Sequence, residues 1–205
     1  MAKNEIILGE YRCVYPALAS AKTFGEQTED QAKYSVRILI PKSDKEGVKK
    51  IYDFITAQVN TMNWKAPVKA QVLKVAEDNS DGYKDNAIVK DGDALNDKRA
   101  AEDKDPVDAY VGHYVVGMNR RASFGRPFLA DENAVAIPEL QLQEAFKGGY
   151  WIKVQASAYC YSQPKAGVTL QLGGAQFIRK DEVFGQSNPF EPVEIDDIED
   201  DDIPL

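Results

Sequence analysis

The sequence predicts a mainly β chain that closes into a small barrel or a strongly bent sheet. Three observations carry this expectation. Residues 33–40 alternate apolar and polar side chains, residues 150–179 contain two further strands about a short turn, and only the segment 44–62 repeats apolar residues at strong helical spacing.

The elements follow in chain order. Residues 5–21 are extended in character, with Ile6, Ile7, Leu8, Tyr11, Val14 and Tyr15 ahead of Pro16, and residues 25–31 are polar and turn-like. In 33–40, Tyr34, Val36, Ile38 and Ile40 share one face while Lys33, Ser35, Arg37 and Leu39 share the other, the mark of a half-buried strand that Pro41 ends. Ser43 and Glu46 have the spacing of a capping box, in which each side chain satisfies a backbone donor at a helix start. Val48, Ile51, Tyr52, Ile55, Val59 and Met62 then predict an amphipathic helix over 44–62 that plugs the core. Residues 63–107 are weakly periodic and read as an insertion, with a short strand near 68–75 and a long loop over 78–106. Strand character resumes over 108–119, followed by a basic, glycine-containing loop at 120–127. A short helix at 138–146 ends at Gly148 and Gly149, and strands at 150–162 and 167–179 flank a turn at 163–167. Residues 1–185 thus form one domain, and 186–205 form a disordered acidic tail.

Charge is distributed unevenly. The 205 residues carry 25 Lys plus Arg against 33 Asp plus Glu, but eight of those acids lie in 191–205 with no base among them. The remaining body is balanced, and within it residues 77–108 hold eleven acids against five bases, which leaves the rest mildly basic. No apolar run approaches the ~20 residues of a membrane span, and three consecutive apolar residues near the N-terminus are too few for a signal peptide. Cys13, Cys160 and His113 make neither a disulfide framework nor a zinc set, so a cytosolic chain without metal or cofactor is expected. Phosphate-binding glycine loops, His-Glu-x-x-His and Gly-x-Ser-x-Gly are absent, and any His-dependent catalysis hangs on His113, read as a mid-strand structural or surface residue. The acids around Asp91 and Asp93, and those at 102–105, could hold Mg²⁺. Their interspersed lysines favour a solvated loop, and an enzyme is disfavoured.

The strand at 150–161 has a different signature. Its even positions, Tyr150, Ile152, Val154, Ala156, Ala158 and Cys160, suit a core; its odd positions are Trp151, Lys153, Gln155, Ser157, Tyr159 and Tyr161. Rings interleaved with a cation and amides suit an unpaired nucleic acid, because bases stack on aromatic side chains regardless of sequence while cations meet phosphates. The same rings would also suit packing across a closed barrel or against a subunit, and the strand alone leaves the two open. Trp151, Tyr159 and Tyr161 are the proposed stackers, with Phe124 a further ring. Lys33, Arg37, Arg120, Arg121 and Lys153 are the proposed phosphate contacts, with Arg126 and Phe128 nearby. A body without net basicity predicts moderate affinity and steep salt sensitivity.

The chain ends Asp200, Asp201, Asp202, Ile203, Pro204, Leu205: acids that keep the segment solvated, then a small apolar tip suited to C-terminal capture by a partner. This tip resembles the tail of bacterial single-stranded DNA-binding proteins, which ends Asp-Asp-Asp-Ile-Pro-Phe, and departs from it at Leu205. The body resembles instead a family of bacteriophage single-stranded DNA-binding proteins, long catalogued as a domain of unknown function. The matching stretches are 33–42 with its following helix, 112–114 through Arg120 and Arg121, and 148–151. The resemblance implies a five-stranded OB-fold barrel with one amphipathic helix. It also implies sequence-independent binding of single-stranded DNA in phage replication or recombination, within the bacterial host cytoplasm. The tail would recruit replication or recombination proteins and, because its eight acids would compete with phosphate for the mildly basic surface, is expected to fold back on the groove when DNA is absent. A homo-oligomer is compatible with the pattern. The rival functions are a strand-annealing recombination mediator, a metal-dependent nuclease using the acids of 77–108, and a DNA-mimicking inhibitor.

Overall fold

In the computed structural model, which describes residues 4–23, 25, 28–77 and 87–185, period-2 patterning becomes strand and the strands close on themselves. The elements are β1 (Glu5–Lys22), β2 (Lys33–Pro41), α1 (Lys45–Thr61), α2 (Ala66–Glu77), β3 (Val89–Asp91), α3 (Gly92–Ala101), β4 (His113–Arg121), β5 (Phe128–Ala130), α4 (Leu142–Ala145), β6 (Trp151–Tyr161) and β7 (Gly167–Arg179). The sheet runs β3-β4-β2-β1-β6-β7-β5, and a further parallel pairing of β4 with β7, Asn119 opposite Gln171, closes a ring of five. The ring strands β1, β2, β4, β6 and β7 neighbour one another in the order first, second, third, fifth, fourth. That is the connectivity of an OB fold, whose barrel is partly open where the closing pair is short. β3 and β5 extend the ring at β4 and β7.

The barrel interior is apolar. Leu8, Ile38, Ile40, Val116, Met118, Ile152, Leu170 and Leu172 are fully buried, and Ile51, Ile55 and Val59 of α1 close one end of the same cluster. Each such side chain contributes about 1.5–3 kcal/mol on burial, which makes the helix part of the core rather than an appendage. The cap of α1 is Asp44, whose carboxylate accepts from the Gly47 amide at 2.8 Å and from the Tyr11 hydroxyl at 2.7 Å. Ser43 therefore does not head the helix as its spacing with Glu46 suggests.

Residues 63–107 depart most from expectation. The segment expected as a strand near 68–75 is α2, which buries Val72 and Ala76, one turn apart, with Leu73 packed half-buried beside them, so its helical period is faint in the sequence. The expected loop contains β3 and α3. Asp91 is the N-cap of α3, accepting from the Asp93 and Ala94 amides, so an acid-glycine-acid run that resembles a loop is a helix start. Two smaller differences follow. The strand expected from 108 begins at His113, preceded by a 3-10 turn at Asp108–Tyr110, and His113 stands at its end with Nδ1 2.8 Å from the Val111 carbonyl. Residues 78–86 and the acidic tail lie outside the described residues.

A second, smaller cluster sits on the outside of the barrel and sets the position of α3. Val14, Leu39, Tyr110 and Val115 are buried there, with Leu95, Val107, Ala109 and Phe184 packed against them. Leu39, the apolar residue on the otherwise polar face of β2, is covered by this cluster. Lys42 Nζ lies 2.7 Å from both Asp91 and Asp93 and ties the end of β2 to the start of α3. Gly92 has no room for a side chain, because a Cβ would collide with the Tyr110 and His113 carbonyls.

Candidate nucleic-acid interface

Strand register decides which side chains meet on the outer face. Across β2 and β4, Lys33 pairs with Arg121, Ser35 with Asn119 and Arg37 with Gly117, and the five side chains among them point outward. Asn119 lies beside Gln171 of β7, and β7 in turn aligns Thr169 with Tyr159 and Gly167 with Tyr161 of β6. Opposed residues share a face of a sheet, so cations from β2 and β4 and rings from β6 stand on one continuous surface. A side chain at Gly167 would collide with the Tyr161 ring, which lies over β7; Tyr159 stacks beside it at 6.2 Å between centroids and 25° between planes.

α3 forms the opposite wall. Leu95, Lys98, Arg99 and Glu102 recur at i, i+3, i+4 and i+7 and line the groove together, so one side of α3 and its capping residue faces the sheet. Between them lies an open groove of about 640 Å³. Among the described residues it is lined by six cations, Lys33, Arg37, Lys90, Lys98, Arg99 and Lys104, by one acid, Glu102, and by the rings of Tyr15, Tyr110 and Tyr161. The segment 77–108 is acidic in sum, yet it supplies four of those six cations, while Asp91 and Asp93 turn away to Lys42.

The groove is preorganised. Arg37 donates through NH1 to the Tyr110 hydroxyl at 2.6 Å, and its guanidinium carbon sits 5.6 Å from the centre of the Tyr15 ring. Burial raises the Tyr110 pKa, which keeps that hydroxyl neutral and available as an acceptor beside the guanidinium. Arg99 donates to the Asp105 carbonyl at 2.7 Å and braces the turn after α3. Glu102 lies 2.7 Å from Lys104 and 3.8 Å from Lys98, and the Lys104 hydrogen bond holds its carboxyl below the usual range.

Of the residues singled out in the sequence, Lys33, Arg37 and Tyr161 line the groove, Arg121 shares the face through Lys33, and Tyr159 continues it beside Tyr161. Arg120 alternates to the other side of β4, opposite Tyr34, and donates to the Gly125 and Phe124 carbonyls at 2.9 and 2.6 Å, which shapes the following loop. Phe124 stands on that loop, 60% exposed. Trp151 and Lys153 lie at the far end of β6, with Trp151 roughly 30 Å along the strand from Tyr161. Trp151 donates its indole N–H to Asp181 at 2.6 Å, Arg179 covers its ring at 4.2 Å, and Lys153 faces Glu10 at 3.2 Å. The structure therefore does not bring Trp151 and Lys153 to the groove. The sequence reading missed Tyr15, Tyr110 and the cations of residues 90–104. The signal that could have found the latter is the period of 95, 98, 99 and 102 behind an Asp cap.

Among the described residues no group of three or more His, Cys, Asp or Glu side chains could hold a metal ion, and no helix is long and apolar enough to cross a membrane.

Comparison with known proteins agrees with this fold. The model of a family described as the ssDNA-binding protein of Enterobacter phage Enc34 matches residues 4–203. Among solved structures, the single-stranded DNA-binding protein from bacteriophage Enc34 in complex with ssDNA superposes with a TM-score of 0.60 at 21% identity, over 89% of this chain and 90% of that one. Its C-terminal truncation gives 0.61 at 22%, over 88% of each chain. The single-stranded DNA-binding protein gp2.5 of bacteriophage T7 gives 0.56 at 15%, over 94% of this chain and 100% of that one. No curated protein sequence matches the chain.

Proposed function

The chain belongs to the family of Enterobacter phage Enc34 ssDNA-binding proteins, a non-enzymatic family, and from that premise we propose that it binds single-stranded DNA, without regard to sequence, in the groove between α3 and the outer face of β2, β4 and β7. The observation that carries this is the joint lining of that groove, among the described residues, by six cations and three tyrosines with a single acid among them. Cations at that density neutralise successive phosphates, and the rings of Tyr15 and Tyr161 offer faces to bases that a duplex keeps stacked on one another. None of these contacts discriminates one base from another, because every base has a π-face and every nucleotide a phosphate.

The setting is phage DNA replication or recombination in the bacterial host. There the terminal residues Asp200, Asp201, Asp202, Ile203, Pro204 and Leu205 recruit partner enzymes by capture of an apolar, carboxylate-bearing tip. Loss of co-purifying replication or recombination proteins on removal of 200–205, with DNA binding retained, tests the tail.

The groove itself is tested by anisotropy titration of labelled oligo-dT and of matched duplex at two salt concentrations. Tight binding of the single strand, weaker binding of the duplex, and a loss of at least about tenfold in Arg37→Ala are expected, since a hydrogen bond to a charged group is worth roughly 1.5–3 kcal/mol. Equal affinity of Arg37→Ala and wild type would place the DNA elsewhere.

A further inference from the structure

We infer that Tyr15 is a base-stacking platform of the groove, held in an unfavourable backbone conformation so that its ring stands over the sheet. The inference rests on the groove being the DNA site and adds the residue that meets the base.

Tyr15 has a φ of +49° in the middle of β1. Bulky side chains seldom adopt the left-handed region, and Pro16 restricts the residue before it further. The cause is a β-bulge: Val14 pairs with Arg37 but Ala17 with Ser35, so β1 spends one residue more than β2 over this stretch. The chain on either side is pinned. Val14 and Ala17 are buried, the Gly149 amide donates to the Cys13 carbonyl at 2.7 Å, and the Cys13 amide donates to the Tyr150 carbonyl at 3.0 Å.

Burial does not repay this strain, because Tyr15 is 57% exposed and its ring opens into the groove. Strain that persists around an exposed side chain points to use of that side chain. The neighbours indicate which use. Arg37 lies 5.6 Å from the ring centre, close enough for cation–π attraction, and is steered there by the Tyr110 hydroxyl. A phosphate held by Arg37 would bring its attached base within reach of the Tyr15 face, so one nucleotide takes both contacts. Tyr110, by contrast, is buried and already bonded to Arg37, and offers no comparable face.

The test uses the full chain with Tyr15→Ala, Tyr15→Phe, Tyr15→Gly and Arg37→Ala, measuring anisotropy with oligo-dT and with an abasic deoxyribose-phosphate strand of the same length. Tyr15→Ala should weaken oligo-dT binding by about tenfold to a hundredfold while leaving the abasic strand unchanged, and Tyr15→Phe should bind oligo-dT as wild type does. Tyr15→Gly should bind oligo-dT as weakly as Tyr15→Ala but melt at a higher temperature than it, because glycine accepts positive φ. Unchanged oligo-dT binding in Tyr15→Ala and Tyr15→Gly overturns the inference. So does an equal loss on the abasic strand, which would mean that Tyr15 acts only through Arg37. If Arg37→Ala also binds normally, the groove assignment fails with it; if Arg37→Ala is weakened while the Tyr15 variants are not, this inference alone fails.

Discussion

Among the described residues Glu102 is the single carboxylate lining the groove, and its removal should make the protein bind DNA more tightly. Its side chain pairs with Lys104 and Lys98, so an arriving phosphate competes with it for both ammonium groups. Glu102→Gln keeps the length and shape of the side chain and removes the competitor. The helix end survives the change, since the Glu102 amide bonds to the Lys98 and Arg99 carbonyls through the backbone. If one freed lysine then meets one further phosphate, the slope of log affinity against log salt steepens by about 0.7, the value for single strands. Over a change from about 50 to about 200 mM salt that slope amounts to a factor of roughly 2.5, so a gain of about fivefold at the lower salt shrinks to about twofold at the higher. Anisotropy titrations of oligo-dT at four or more salt concentrations read both quantities, with a thermal melt to show that folding is unchanged. An affinity and slope equal to wild type would falsify the claim that Glu102 competes with phosphate.

Three further perturbations separate the groove from the rest of the molecule. Trp151→Phe loses the bond to Asp181 and should lower the midpoint of a urea melt while leaving oligo-dT affinity unchanged; a large loss of DNA binding would return Trp151 to the interface. Deleting 191–205 removes eight acids and no base, and should tighten DNA binding severalfold at low salt and little at high salt, where charges beyond about 10 Å are screened. Unchanged binding at low salt would show that the tail does not compete for the groove. Lys42→Ala breaks the double bridge to Asp91 and Asp93, and should lower the melting temperature slightly and weaken oligo-dT binding severalfold, although Lys42 does not line the groove. Unaltered DNA affinity in a destabilised Lys42→Ala would show that the groove does not need α3 held in place.

The limits of legibility follow element by element. β2 is legible because a strand between core and solvent writes its burial into a period of two, and α1 because its Ile51, Ile55 and Val59 meet the core at helical spacing. β6 shows the same alternation, with Ile152, Val154, Ala156 and Ala158 buried, so the separation of its two faces was correct. What those outward residues face is a different matter. Trp151 and Tyr161 share the polar side of one strand, but the strand is longer than the groove, and Asp181 and Arg179 occupy the tryptophan end. α3 is illegible for the opposite reason: it buries little, and its groove-facing side is written in charges that have meaning only opposite the cations of β2.

By itself the sequence determined which side of each long strand is apolar, which segment is the plugging helix, and which family the chain resembles, since these are properties of nearest neighbours along the chain and of their order. Tertiary structure alone decided that Lys33 and Arg37 face Lys98 and Arg99 across a groove, that Tyr15 and Tyr161 join them, and that Trp151 does not. The physical reason is that the site is assembled by register between strands far apart in sequence and by a helix hung on the outside of the barrel through Leu39, Tyr110 and Lys42. Pairings over such separations leave no local period to read.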